Sequence, residues 1–245
     1  MTWVEWIGNI SEWLGVIAVA LILGLSPRFK RRLIRFQYQR REITLIFILF
    51  TLIFIGSALV HAGAVPIKNQ APSYLPDGLW ARFWVAAIGI IPFAAALYIR
   101  RQPLLSVGWA KSLISPALQM GLALAFVTFF LRNKVYSLTN GILPEEWNAL
   151  LLCAGLAFAE ESIFRGYIQT RLVSIWGKLP GWLVTSALSL TFQLPRLWAE
   201  PNSFLLTLLL IGIQSLLLGW IMNKSGHVLA PALYRLISEW VIFLV

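Results

Sequence analysis

The chain has 245 residues, of which 59% are hydrophobic and only 12% are charged, and its formal net charge is +10. A globular chain carries about 25% charged residues, so this composition excludes a soluble domain. Because the basic residues cluster beside apolar runs, the positive charge indicates membrane topology and argues against nucleic acid as a partner. The single cysteine, Cys153, lies in an apolar run, which excludes a disulfide framework and a thiol metal site.

Eight apolar runs predict eight transmembrane helices, because about 20 helical residues cross the hydrocarbon core of a bilayer. The runs cover residues 13–25, 43–64, 79–99, 113–131, 147–164, 181–197, 204–222 and 228–245. The first run is short unless the Trp-rich segment before it is also embedded. The expected fold class is an all-α, polytopic membrane bundle that forms a single membrane domain over residues 1–245.

The Lys and Arg residues are divided unevenly between the two sides of this predicted bundle. The connection over residues 28–41 holds seven of them, and its side of the membrane holds 14 against five on the other side. The positive-inside rule therefore predicts that this connection is cytoplasmic and that both termini are on the non-cytoplasmic side. The membrane would be the cytoplasmic or another energy-transducing membrane. The same connection could bind anionic lipid headgroups, but a topological role is the simpler interpretation.

Three acidic residues fall late in apolar runs, where an ionisable group costs about 3 kcal/mol or more and indicates a functional site. They are accompanied by three basic residues, and the set is Glu160, Glu161, Glu239, Arg165, Arg196 and Arg235. Glu161 and Arg165 are four residues apart and share a helical face, which favours an ion pair. Glu160 is rotated about 100° from Glu161 and could stay free to act as a general base on water. Alternatively, both glutamates are simply solvated at the cytoplasmic end of their helix.

The sequence Glu160-Glu161-x-x-x-Arg165, followed by Gly-Tyr-Ile-Gln, resembles the first motif of the CPBP family. This family comprises intramembrane proteases, including type II CAAX prenyl endopeptidases, and bacteriocin-processing proteins. Phe192-Gln-Leu-Pro-Arg196 is similar to the second motif, Phe-x-x-x-His, and residues 225–239 are similar to the stretch around the third, His-x-x-x-Asn. The resemblance covers about residues 104–245 and leaves residues 1–103 as additional N-terminal transmembrane helices.

The resemblance implies a site of glutamate and histidine side chains that holds a metal or activates water. Here both histidine positions are arginines, Arg196 and Arg235, and the asparagine position is Glu239. A guanidinium group has no acceptor atom and stays protonated, so it cannot bind a zinc-like metal. We therefore predict that the protein has no metal cofactor. His61 and His227 lie outside the motif positions and do not replace the missing histidines.

The candidate catalytic residues are thus Glu160, Glu161 and Arg165, and the wider candidate site adds Phe192, Arg196, Arg235 and Glu239. Three glutamates and three arginines sum to zero charge, which suggests that the arginines take over the charge-balancing role of the metal.

Two main hypotheses for the function remain open. In the first, the protein is a degenerate family member with reduced or lost activity, which acts as a membrane scaffold or as a partner-binding subunit of a larger complex. In the second, it is an active intramembrane endopeptidase in which Glu160 or Glu161 activates water and an arginine polarises the scissile carbonyl. A transporter or channel is a third hypothesis, but the sequence lacks paired half-helices broken by Gly or Pro. The expected partners are the lipid bilayer and a membrane protein or peptide.

Overall fold

The computed structural model describes residues 3–29, 36–65, 67, 77–139, 141–199 and 204–244. The regular elements in these segments are all helical, which confirms the predicted all-α class. The α-helices are α1 (Trp3–Gly24), α2 (Gln39–His61), α3 (Asp77–Ile99), α4 (Ile114–Leu131), α5 (Val135–Thr139), α6 (Pro144–Glu161), α7 (Thr170–Trp176), α8 (Lys178–Ala199), α9 (Phe204–Ser225) and α10 (Leu229–Trp240). A π-helix, Ser162–Gln169, joins α6 to α7, and short 3-10 turns occupy Pro27–Phe29, Leu104–Val107, Lys111–Leu113 and Val241–Phe243. Helices satisfy backbone polar groups internally, as the bilayer requires.

Six helical stretches in the described segments are long and apolar enough to cross a membrane. They are Trp6–Gly24, Gln39–His61, Gly78–Ile99, Lys111–Leu131, Pro144–Trp176 and Phe204–Ser225. The chain is therefore a multi-pass integral membrane protein that contacts the lipid bilayer. The predicted spans 181–197 and 228–245 are also largely helical but do not belong to this set, so the count of eight spans is not confirmed. Polar residues such as Ser186 and Gln193 make α8 less apolar, and α10 has only 12 residues.

Two predicted spans differ in length from the helices that form. The first helix begins at Trp3, because the Trp-rich segment continues the same helix that was predicted only from residue 13. The fifth span, predicted over residues 147–164, is the first part of a helical run of 33 residues from Pro144 to Trp176. This run continues because the π-helix turns directly into α7.

Helix α10 packs against three other α-helices, closely against α4 and α6 and more lightly against α9, while α1 covers α4 and α9. One buried cluster joins Val16 of α1, Met120 and Leu124 of α4, and Tyr234 of α10. On the other side, α3 packs against α6, and α2 packs against α3 and α8. Helices α1, α2 and α3 therefore pack directly on the segment whose motifs resemble the protease family.

A buried glutamate reinforces the packing of α1. Glu12 is fully buried and accepts hydrogen bonds from Arg132 Nε at 2.5 Å, Tyr234 Oη at 2.9 Å and Ser238 Oγ at 2.8 Å. Arg132 follows the last residue of α4, whereas Tyr234 and Ser238 are one turn apart on α10. Glu12 thus ties three helices together through charge-assisted hydrogen bonds.

Candidate functional site

The first motif runs directly from α6 into the π-helix Ser162–Gln169, and such segments are frequent at functional sites. The π-helix directs two buried side chains toward α9. Arg165 Nη2 donates to Ser215 O at 2.9 Å and to Ser215 Oγ at 3.0 Å. Gln169 Nε2 donates to Gly219 O at 2.7 Å. The motif is therefore anchored on α9 at two positions that are one helical turn apart.

Gly166, next to the motif arginine, allows a close approach of the chain over residues 104–107. A Cβ atom at Gly166 would lie 2.7 Å from Val107 O, which is too close for any other residue without backbone movement. In the same segment, Ser106 O accepts a hydrogen bond from Thr170 Oγ1 at 3.0 Å. These contacts pack the π-helix and the start of α7 against residues 104–107.

Arg235 lies at the centre of the site. Its guanidinium contacts three carboxylates, with Nη2 at 2.5 Å from Glu160 Oε2, Nη1 at 2.9 Å from Glu161 Oε1 and Nε at 2.9 Å from Glu239 Oε1. Glu160 and Glu161 are each 1% exposed and Arg235 is 5% exposed. Distances of this size are those of charge-assisted hydrogen bonds. One arginine side chain therefore bridges both motif glutamates.

Two further arginines complete the charge balance. Arg165 Nε lies 3.3 Å from Glu161 Oε2, which is the i,i+4 pair that the spacing predicts. Arg82 of α3 donates to Glu239 Oε1 at 3.0 Å. We call these six residues the Arg235 cluster: Glu160, Glu161, Glu239, Arg82, Arg165 and Arg235. Its formal charge is zero, and Gln193 of α8 adds a hydrogen bond to Glu160 Oε2 at 3.1 Å.

Five of the seven predicted site residues are brought together, namely Glu160, Glu161, Arg165, Arg235 and Glu239. Phe192 has a packing role, since its ring lies 5.3 Å from the ring of Phe164. Arg196 is half-buried near the end of α8, and the described ion pairs of the three glutamates do not include it. The third arginine of the cluster is Arg82 instead.

The expectation that Glu160 stays free is wrong, because Arg235 and Gln193 both donate to it. Three further residues contact the site and were not predicted from the sequence, namely Arg82, Gln193 and Ser215. Arg82 carried a usable signal, since it lies inside the apolar run 79–99 as a charge at membrane depth. Gln193 and Ser215 carried none, because uncharged polar residues are common in transmembrane helices.

The residues of the site do not fit the metal that the family resemblance implies. A cation bound by Glu160 and Glu161 would have to occupy the place where the Arg235 guanidinium donates to both. In the described part of the chain, no group of three or more His, Cys, Asp or Glu residues is arranged to hold a metal. His227 is engaged elsewhere, because its Nδ1 accepts the Leu229 N–H at 3.0 Å. The donor set is that of an ion-pair network.

In comparison with known proteins, the sequence around this site matches one family model. Residues 142–241 match the model described as Rce1-like, type II CAAX prenyl endopeptidase Rce1-like. The matched segment contains every member of the Arg235 cluster except Arg82, and it coincides with the motifs that carry the resemblance. No curated protein and no solved structure matches the chain.

Proposed function

We propose that the chain is a non-proteolytic member of the CPBP family that binds a membrane partner. Residues 142–241 match the Rce1-like model of type II CAAX prenyl endopeptidases, and the motifs in this segment resemble those of the CPBP family. The observation that carries this proposal is the Arg235 guanidinium, which bridges Glu160 and Glu161. A general base must direct a free carboxylate lone pair at a water molecule. Here both motif carboxylates are buried and already accept hydrogen bonds from arginine.

The Arg235 cluster supports a structural role for the motif glutamates, Glu160 and Glu161. It joins α3, α6, α8 and α10 through charged or amide side chains, and an arginine fork matches carboxylate geometry well. A buried charge network of this kind is stable only when each charge keeps its partner. The cluster would therefore lock the bundle in one arrangement, which suits a scaffold.

An apolar groove between α8 and α9 supports the binding of a membrane partner. Its volume is about 520 Å³, and its lining includes Leu190, Leu209 and Gly212. Ser186 lies on the groove floor, where it exchanges hydrogen bonds with Ser215, the residue that holds Arg165. A groove with this lining suits an apolar transmembrane segment of a protein or peptide. The partner would make the chain a subunit of a larger membrane complex.

An active endopeptidase is the second candidate function, and one observation favours it. Glu161 Oε2 accepts no hydrogen bond from the described residues and lies 3.3 Å from Arg165 Nε. This oxygen could take a proton from water, and the neighbouring guanidinium groups could stabilise the oxyanion that forms on a scissile carbonyl.

A cleavage assay separates the two functions. The purified protein in nanodiscs is incubated with a prenylated peptide that ends in a CAAX sequence and with a peptide that contains a transmembrane segment. We expect wild-type protein to form no more product than Glu161→Gln. The matched control is Glu145→Gln, which changes an exposed glutamate of the same helix. Product formed by wild type and by the control, but lost in a folded Glu161→Gln variant, would establish the endopeptidase instead.

A further inference from the structure

A second charged cluster surrounds Glu42 near the start of α2. Arg100 binds this carboxylate through both terminal nitrogens, at 2.9 Å and 2.6 Å. Arg171 Nε donates at 3.0 Å and Gln102 Nε2 at 3.2 Å. We call Glu42, Arg100, Gln102 and Arg171 the Glu42 cluster. It joins the start of α2 to the chain after α3 and to α7, so these three places lie at one end of the bundle.

Aromatic rings hold the buried arginine of this cluster in place. The Arg171 guanidinium carbon lies 3.5 Å from the centre of the Tyr167 ring and 5.0 Å from that of Phe36. Arg171 is fully buried, and a desolvated cation gains most from such ring contacts. Arg171 also donates to Gln102 Oε1 and to Tyr167 O. The Glu42 cluster is therefore a rigid base for the surface beside it.

A cavity of about 880 Å³ opens beside the Glu42 cluster. It is lined by Phe36, Gln37, Tyr38, Arg40, Arg41, Glu42, Thr44, Leu45, Ile48, Arg100, Gln102, Pro103 and Ser106. Arg40 and Arg41 are exposed, and together with Arg100 they place three positive charges against the one negative charge of Glu42. We call this the basic cavity.

The basic cavity contains a polar atom that lacks a partner. Ser106 is 2% exposed, and its hydroxyl makes no hydrogen bond within the described part of the chain. Because a buried hydroxyl without a partner costs about 1–3 kcal/mol, such a group lining a cavity indicates a ligand that supplies the missing hydrogen bond.

One wall of the basic cavity continues into the membrane as an apolar surface. Ile48 lines the cavity and is 59% exposed, and Leu52 and Ile55 follow at 56% and 50% exposed. Positions i, i+4 and i+7 of a helix share one face, so these residues form a continuous stripe down α2. The cavity thus combines cationic groups at one end with an acyl-chain path at the other.

We propose that the basic cavity binds one anionic phospholipid, with its phosphodiester on Arg40, Arg41 and Arg100 and an acyl chain along Ile48, Leu52 and Ile55. Arginine forks suit phosphate oxygens, and basic residues at the membrane surface attract anionic lipid. The lipid adds to the topological role of the 28–41 connection, and it is independent of whether the protein is a protease.

The binding test uses the full chain in detergent with three probes at equal concentration. We expect phosphatidylglycerol to raise the melting temperature and to remain bound in native mass spectrometry. Phosphatidylcholine, which is zwitterionic, and inorganic phosphate should do neither. An equal effect of phosphatidylcholine would overturn the charge recognition. An equal effect of inorganic phosphate would overturn the lipid as the ligand.

Paired variants test the position of the site. Arg40→Gln with Arg41→Gln removes two charges from the cavity, and each such residue is worth about fivefold in affinity for an anionic surface, so binding should weaken about 25-fold. The matched control, Arg101→Gln with Lys178→Gln, removes two exposed charges that do not line the cavity, and it should bind as wild type does. Unchanged binding in the first pair, or equal losses in both pairs, would overturn the assignment.

Discussion

At the residue scale, Arg235 stands where the family resemblance implies a histidine, and an arginine at this position alters what the glutamates need. A histidine ligand is neutral, so two buried carboxylates beside it require a metal cation or a proton. Arg235 brings a permanent positive charge and places its donors on three carboxylates. The carboxylates are then satisfied by the chain itself.

Arg235→Leu tests this role. We expect a loss of about 3–5 kcal/mol in the free energy of unfolding, because three buried carboxylates lose a common partner. The measurement is thermal or denaturant unfolding in detergent, followed by tryptophan fluorescence. Lys178→Leu is the control, since it removes an exposed positive charge. If the two variants unfold alike, the Arg235 cluster contributes nothing to stability.

Only part of the Arg235 cluster could be predicted from the sequence. The Glu161–Arg165 pair follows from a spacing of four residues on a helix, which needs no tertiary information. The pair between Arg82 and Glu239 spans 157 positions and depends on how α3 and α10 are placed around α6. Spacing carries no information about such a contact. The error on Glu160 has the same origin, because the reach of Arg235 across two helices is a tertiary property.

At the element scale, apolar runs predicted where helices form, but they did not predict helix type or helix length. Hydropathy identified the run that becomes α6, but it did not predict the π-helix Ser162–Gln169, since eight residues are too few to separate a π-helix from an α-helix by periodicity. The short α10 was also unforeseen. At its start the Leu229 N–H donates to His227 Nδ1, a contact that hydropathy does not detect.

His227 makes the start of α10 sensitive to pH. Its Nδ1 accepts a hydrogen bond from the Leu229 N–H, so that nitrogen must be unprotonated. The ring centroids of His227 and Trp109 are 5.2 Å apart, in an edge-to-face arrangement. Burial lowers the pKa of His227 from 6.5 to about 4. The neutral form is thus favoured in the fold, and its stabilisation is complete above pH 6.5 and is lost as the pH falls toward 4.

We therefore expect wild-type protein to lose about 2–3 kcal/mol of stability between pH 7.5 and pH 4.5 through this histidine alone. His227→Gln cannot titrate, so it should be less stable at pH 7.5 and should show a smaller loss on acidification. The measurement is chemical unfolding at both pH values. His61→Gln is the control and should keep the wild-type pH dependence. An identical pH dependence in His227→Gln would exclude His227 as its source.

At the scale of the whole molecule, side-chain contacts sort the helix ends into two groups. Glu12, in the first half of α1, binds Arg132 just after α4, and Gly8, nearer the start of α1, lies beside the same Arg132 side chain. Lys134 donates to Leu244 O near the C-terminus. Both ends of the described chain therefore lie at the same end of the bundle. The Glu42 cluster joins the start of α2, the chain after α3 and the start of α7 at the other end, where Arg40 and Arg41 also lie.

The Lys and Arg distribution predicts that the end with both termini is on the non-cytoplasmic side. We infer that residue 136, after α4, faces the non-cytoplasmic side and that residue 178, before α8, faces the cytoplasm. Both side chains are exposed, and the one cysteine, Cys153, is buried. These positions therefore allow a labelling test in a Cys153→Ala background.

Tyr136→Cys and Lys178→Cys are expressed in intact cells or right-side-out vesicles and treated with a membrane-impermeant maleimide. We expect labelling of Tyr136→Cys before the membrane is permeabilised and labelling of Lys178→Cys only afterwards, because the positive-inside rule places the basic end in the cytoplasm. The Cys153→Ala background without a new cysteine is the control and should stay unlabelled. The reverse order of labelling would invert the proposed topology. Labelling of both positions from one side would mean that an even number of membrane crossings separates them, which would overturn it.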